Sequence, residues 1–253
     1  MARTPIVAGN WKMNTTAATA RELLEAIVAG DPDSVEGVEK IVCPPFVYLP
    51  LASDVLVGSS VKVGGQDLHW EEKGAFTGEV SGPMLRDYAE YVIIGHSERR
   101  AYFGDSDEWV NRKLKAALAH GLVPIVCVGE TLDQRNAGQT LDVLKTQIVG
   151  ALEDVSLGPS AIVAYEPVWA IGTGVAATSA DAQEAISFIR GQLAELQGGA
   201  IASEVRILYG GSVTPANIAE YVGLPDVDGG LVGGASLVAA SYLEMIRNVA
   251  SIA

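Results

Sequence analysis

Eight short apolar runs, most of them followed by a stretch with helical spacing, constrain this chain more than any other feature. They read PIVAG, VEKIVC, VKVGG, YVIIG, LVPIVCVG, AIVAYEP, VRILYGG and VDGGLVGG. Runs that are apolar throughout, rather than alternating with polar residues, mark strands of a parallel sheet covered on both faces. Between them lie ATARELLEAIVA, SDEWVNRKLKAALAH, LDVLKTQIVGALED, SADAQEAISFIRGQLAEL and SLVAASYLEMIRNVA. Ser106 and Asp107 are start signals for one helix, Ser179 to Asp181 for another, and Gly121 after His120 is a stop signal. Strand–helix alternation of this kind builds either an open doubly wound sheet or a closed barrel. Eight units in 253 residues, with no linker-like break and no repeat of fixed period, favour the closed form. The expected fold is therefore a single α/β domain over residues 1–253, a (β/α)8 barrel of eight parallel strands.

Active sites of that fold lie where the strands end. The polar and glycine positions there are Asn10 and Lys12 after the first run, His96 and Glu98 after the fourth, and Glu166 after the sixth. Ser212 follows the seventh, and Gly233 and Gly234 follow the eighth. These residues share one rim only if the barrel closes.

Glu166 is the most informative of them. Pro167 follows it, fixing φ and keeping it out of a helix interior. Trp169 and the Gly172–Gly174 loop come next, the composition of a lid with a bulky cover and mobile joints. A carboxylate sealed under such a lid is expected to gain basicity by desolvation, as a base acting on a carbon acid requires. His96 precedes Ser97, Glu98 and Arg99, which can open a helix; the positive end of that helix dipole favours a neutral ring able to donate a hydrogen bond. His69 and His120 lack this setting and read as loop and helix-end residues. The turns YGGSV and LVGGASL place backbone N–H groups where barrels of this type bind phosphate.

Charge narrows the partners. The net charge is −14 with no basic cluster, which argues against nucleic acid and anionic membranes, since both need Lys or Arg to neutralise phosphate. An anionic ligand must then rely on local donors, and Lys12 is one of the few cations at the rim. No signal peptide is visible, no apolar stretch approaches the roughly 20 residues that span a bilayer, and Cys43 and Cys127 suggest no disulfide framework. A cytoplasmic protein is expected. The GTGVAA stretch is not a dinucleotide fingerprint, because Pro-Val-Trp-Ala-Ile separates it from the strand. GHSER lacks the second glycine of a nucleophile elbow. No His or Cys spacing suggests a metal, and no carboxylate pair suggests a glycosidase.

GNWKMN, IGHSERR, AYEPVWAIGTG, YGGSV and LVGGASL occur in that order, and together they resemble the triosephosphate isomerase family over essentially the whole chain. In that family a basic Glu is paired with a neutral His, each role set by its environment. The resemblance implies interconversion of dihydroxyacetone phosphate and glyceraldehyde 3-phosphate through an enediolate, with no metal or organic cofactor. It implies Glu166 as base, His96 as neutral electrophile, and Lys12 as positive charge at the substrate with Asn10 nearby. Gly172, Ser212, Gly233 and Gly234 would hold the phosphate, and Glu98 would orient the charged groups. The rivals are another phosphate-binding barrel, such as a sugar-phosphate epimerase or an indole-forming synthase, and a non-catalytic binding protein on the same scaffold. The first would share the glycine turns but not GHSERR with YEPVWAIGTG; the second would be signalled by loss of Glu166, His96 or Lys12.

Two further expectations come with the resemblance. GQDLHWEEKGAFTGEVSG is long for a structureless loop, and in the family its threonine, Thr77 here, plugs into a second subunit, so a homodimer is implied. The family usually has a lysine after AIGTG, where this chain has Val175. That change at the lid's second hinge is expected to alter the rate of opening while leaving closure possible.

Overall fold

The computed structural model describes residues 3–171 and 177–252. The eight apolar runs form β1 (Ile6–Asn10), β2 (Glu39–Cys43), β3 (Val61–Gly65), β4 (Tyr91–Ile94), β5 (Val123–Val128), β6 (Ile162–Tyr165), β7 (Arg206–Tyr209) and β8 (Gly229–Val232). Each strand pairs in parallel with the next, and β8 returns to β1 with Ile6 opposite Gly229 and Gly9 opposite Val232, so the sheet is a closed barrel. Closure is tight at that seam. Gly229 has φ +143°, and a Cβ there would stand 2.0 Å from the carbonyl oxygen of Ile6. Only glycine admits both the dihedral and the approach.

The helices are α1 (Ala17–Ala29), α2 (Leu49–Val55), α3 (Gly82–Arg86), α4 (Ser97–Phe103), α5 (Asp107–Ala119) and α6 (Leu132–Asn136). They continue as α7 (Thr140–Ala151), α8 (Ser179–Gln197), α9 (Gly199–Glu204), α10 (Ile218–Val222) and α11 (Ala239–Ala250). Ser106 caps α5 by accepting the Trp109 N–H, and His120 ends it with Gly121 at φ +69°. The cap of α8 lies one residue ahead of the expected signal. Thr178 accepts the Asp181 N–H while the Asp181 carboxylate reaches back to the Thr178 N–H, and this reciprocal pair places the start.

Two apolar layers follow from the period of two along each strand. Ile6, Ala8, Ile41, Cys43, Ile93, Ile125, Cys127, Ile162, Ala164, Leu208 and Leu231 form one cluster, the barrel interior. The alternate residues, such as Val7, Val42, Val92, Val126 and Val163, pack against the helices in a second. Both cysteines are free, and burial pushes the Cys43 thiol up to about 12. The long segment after β3 is tied at its base by a bridge between His69 and Ser81 and filled by His69 against Trp70 and Phe76. Thr77 is exposed on it.

Charged residues also anchor the rim from behind. Asp67 follows β3, and its carboxylate lies 2.7 Å from Arg99 of α4 and 2.8 Å from Lys113 of α5. Asp105, between those helices, lies 2.6 Å from the same lysine. Burial pushes Asp67 up to about 6, even with Lys113 and Arg99 drawing it down.

Candidate active site

The barrel's parity aims two of the polar rim residues inward. Ile6 and Ala8 face the interior, so Asn10 does too; Ile162 and Ala164 do, so Glu166, one step beyond β6, continues the series. Gly210 makes room for that side chain, since a Cβ there would come within 3.0 Å of Glu166 Cγ.

Glu166 is 2% exposed and doubly held. Its Oε2 accepts the backbone N–H of Ser97 at 2.8 Å, and its Oε1 lies 2.9 Å from His96 Nε2. His96 is the N-cap of α4, where its Nδ1 accepts the Glu98 N–H at 3.1 Å. An accepting Nδ1 leaves the single proton of the neutral ring on Nε2, pointing at the carboxylate.

The expected rise in Glu166 basicity does not hold in this arrangement. Burial does push its pKa up, but His96 and the Ser97 N–H outweigh burial, and the net direction is down. For His96, burial disfavours a charge while the facing carboxylate favours one, and the net direction is up rather than toward the neutral ring expected from the helix dipole. A second proton would have to displace the Glu98 amide from Nδ1, so the hydrogen-bond pattern itself belongs to the neutral tautomer.

Lys12 completes the charged group. Its backbone takes φ +52°, a strained region for a residue with a side chain. Three contacts hold it there: its N–H donates to Asn10 Oδ1 at 3.0 Å, and Gln66 Nε2 donates to both the Lys12 and Cys43 carbonyls at 2.9 Å. The ammonium then lies 2.6 Å from Glu98 Oε1. Another Glu98 oxygen stands 3.8 Å from His96 Nδ1, so this carboxylate lies between the ammonium and the imidazole.

Asn10, Lys12, His96 and Glu166 share a pocket of about 470 Å³ with Ser212, Gly233 and Gly234. Gly233 precedes a short 3-10 turn, Gly234–Leu237, whose first N–H groups have no partner within the turn. The site thus has a carboxylate and an imidazole at one side, an ammonium at the mouth, and glycine turns opposite. Gly172 and Val175 lie outside the described residues. Thr77 does not line this pocket. Among the described residues no group of three metal-binding side chains converges.

Sequence reasoning passed over Glu130, two residues beyond β5. It is fully buried and accepts from the Tyr165 hydroxyl at 3.2 Å and the Trp169 indole N–H at 2.8 Å. Arg135 stacks over the same indole at 4.4 Å. Trp169 is therefore anchored in the turn Val168–Ala170 rather than standing as a loose cover. On the far side of the loop, Ala177 donates to the Tyr209 hydroxyl at 3.1 Å, and its carbonyl accepts from Tyr221. The rule that polar residues at strand ends are functional would have found Glu130, which follows LVPIVCVG directly.

The sequence model of the triosephosphate isomerase family matches residues 5–249. A triosephosphate isomerase of Moorella thermoacetica is 54% identical over 250 residues, covering 97% of this chain and 98% of that one. One of Chloroflexus aurantiacus is 55% identical over 248 residues, covering 97% and 99%. A crystal structure of the Bartonella henselae triosephosphate isomerase superposes with a TM-score of 0.89 at 41% identity, covering 97% and 98%.

Proposed function

Because this chain belongs to the triosephosphate isomerase family and interconverts dihydroxyacetone phosphate and glyceraldehyde 3-phosphate, we propose that Glu166 is its base and His96 and Lys12 are its electrophiles. The observation that carries this assignment is the buried carboxylate of Glu166 on the wall of a pocket that also holds His96, Lys12 and the two glycine turns. Among the described residues, Glu166 is the carboxylate that faces the Nε2 of that imidazole.

The contacts of Glu166 set an order of events. Glu166 is engaged by Ser97 N–H and His96 Nε2–H, so reaching a substrate carbon requires it to leave both. Leaving frees Nε2–H for a substrate oxygen. Glu166 then takes a proton from the carbon next to the carbonyl and returns it to the neighbouring carbon. Negative charge grows on oxygen between the two steps, and His96 and Lys12 face it; a fixed donor of this kind contributes about 3–4 kcal/mol to the barrier reduction. Asn10 and Glu98 position Lys12, and Ser212, Gly233 and Gly234 offer N–H groups to the phosphate; Gly172 is assigned there by the family resemblance alone. Coupled assays of glyceraldehyde 3-phosphate isomerisation by the parent and Glu166→Gln chains, side by side, test the assignment.

We further propose a homodimer. Four consecutive strand-end segments each hold an apolar side chain out to solvent: Met13 at 95% exposed, Val47 at 76%, Phe76 at 43% and Tyr102 at 78%. The segments follow four adjacent strands, and exposed apolar side chains gathered at one end of a barrel are what an interface between copies would cover. Thr77 lies in the third segment. Met13→Arg is expected to sediment as a monomer and to lose about tenfold or more in activity, because its neighbour Lys12 loses the covering surface. A fully active dimeric variant would refute this interface. No described helix is long and apolar enough to cross a membrane. We assign the chain to the cytoplasm, where glycolysis supplies its triose phosphates and two free thiols persist; cell fractionation tests that assignment.

A further inference from the structure

Asn217 stands where a helix cap is expected and does not cap. It precedes α10, and an Asn in that place ordinarily turns its side-chain oxygen onto the first N–H groups of the helix; this one makes no such bond. Its amide turns back instead onto the turn that follows β7. Oδ1 accepts the Thr214 N–H at 2.8 Å, and Nδ2 donates to the Ser212 carbonyl at 3.0 Å. One orientation of the amide satisfies both bonds, since the flipped one would set donor against donor and acceptor against acceptor. We infer that Asn217, which stands behind the pocket wall, is a positioning residue for the phosphate of the substrate. The inference rests on the reading that the Ser212 N–H binds that phosphate.

The segment needs a hold from outside itself. Gly210 and Gly211 restrain the backbone least of all residues, and among the described residues no acceptor meets the N–H of Gly211 or of Ser212. Upstream, the Gly210 N–H is fixed on the Tyr165 carbonyl at 2.7 Å. Downstream, the Ser212 carbonyl is fixed on Asn217. Between these anchors lie the Gly211 and Ser212 N–H groups, and both residues line the pocket. The Asn217 N–H donates to the Thr214 carbonyl at 3.2 Å, and Asn248 of α11 holds the Pro215 carbonyl at 2.8 Å. Those bonds fix the far side of the turn, while its Ser212 end depends on the Asn217 amide. Donors bind an anion best when they are aimed beforehand, because ordering them on binding subtracts from affinity. The turn after β8 has its own hold, the Ser236 hydroxyl donating to the Gly233 carbonyl at 2.7 Å. Loss of Asn217 therefore weakens phosphate binding without abolishing it.

Asn217→Ala is expected to weaken inhibition by inorganic phosphate, and to raise KM for glyceraldehyde 3-phosphate, by about tenfold, the affinity equivalent of ordering one backbone residue. Glyceraldehyde, which lacks the phosphate, should lose at least about fivefold less in kcat/KM, a split that general damage to the fold does not produce. Asn217→Asp keeps the shape and the Thr214 bond but sets a carboxylate oxygen against the Ser212 carbonyl, and it is expected to act in the same direction. Equal losses for the two aldehydes in both variants, or phosphate inhibition within about twofold of the parent, would overturn the role of Asn217. The Ser212 reading is tested separately in the parent, by the shift of the Ser212 backbone amide resonance on addition of inorganic phosphate. If that resonance does not move, the reading fails and the inference with it. If it moves while both variants bind phosphate like the parent, only the role of Asn217 fails.

Discussion

Replacing Glu166 by glutamine is expected to lower kcat for triose phosphate isomerisation by about 10²- to 10⁴-fold, the usual contribution of a positioned general base. Glutamine keeps the length and nearly the shape of the side chain, and its carbonyl oxygen can still accept the Ser97 N–H that Oε2 accepts at 2.8 Å. The pocket, Lys12 and the glycine turns are untouched, so a phosphate-bearing inhibitor should bind the variant within a few-fold of the parent. What is lost is a group able to take a proton from carbon. Glu166→Asp is a sharper probe of position, because it keeps the carboxylate and withdraws it by one methylene. Misplacement of about 1 Å costs about 10²-fold when chemistry depends on geometry. Steady-state kinetics with a coupled assay checks both, and a glutamine variant within tenfold of the parent would remove Glu166 from the chemistry.

The second large effect concerns stability. Lys113→Met is expected to destabilise the chain by about 3–5 kcal/mol, the cost of removing one partner from a buried ion cluster. Lys113, Asp67 and Asp105 are 2%, 3% and 4% exposed, and the ammonium lies within 2.9 Å of both carboxylates. Its loss leaves two buried negative charges with, among the described residues, Arg99 as their remaining cationic partner. The deficit should depend on pH. Asp67 already titrates near 6 in the folded chain, above the ordinary 3.8, because burial opposes its charge. A carboxyl raised on folding contributes stability below its unfolded pKa and loses it as pH rises through the folded value. Without Lys113 the folded value rises further. The variant should therefore be most impaired at neutral pH and recover part of its stability as pH falls toward about 5. Denaturant unfolding at several pH values measures this, and a deficit that is small or independent of pH would contradict it. The cluster matters to the site because Arg99 belongs to α4, the helix His96 caps.

The strands were legible because each is a continuous apolar run, and a parallel sheet buried on both faces requires that. Asn10 and Glu166 were legible as rim residues because a strand's period of two runs on past its last hydrogen bond. The glycine turns were legible because two of them fall after the last two strands. Other features depend on contacts between distant segments. Nothing near Asp67 in sequence announces Lys113, which is 46 residues away, and Glu130 receives Trp169 from 39 residues away. The titration of Glu166 depends on such a contact too: burial can be inferred from an apolar run, but the ring nitrogen 2.9 Å from its oxygen belongs to another strand end. The start of α8 shifted because Thr178 and Asp181 cap each other, and SADA alone contains only half of that pair.

The most direct test of Glu166 as the base is a crystal structure of the chain with a phosphorylated two-carbon acid, whose carboxylate imitates the enediolate. The assignment predicts that the Glu166 carboxylate leaves the Ser97 N–H and lies against the ligand's carbon atoms. His96 Nε2 and Lys12 Nζ should then meet the ligand's carboxylate, and the N–H groups of Ser212, Gly233 and Gly234 its phosphate. A bound ligand with Glu166 still on Ser97 and His96, out of reach of any ligand carbon, would contradict it.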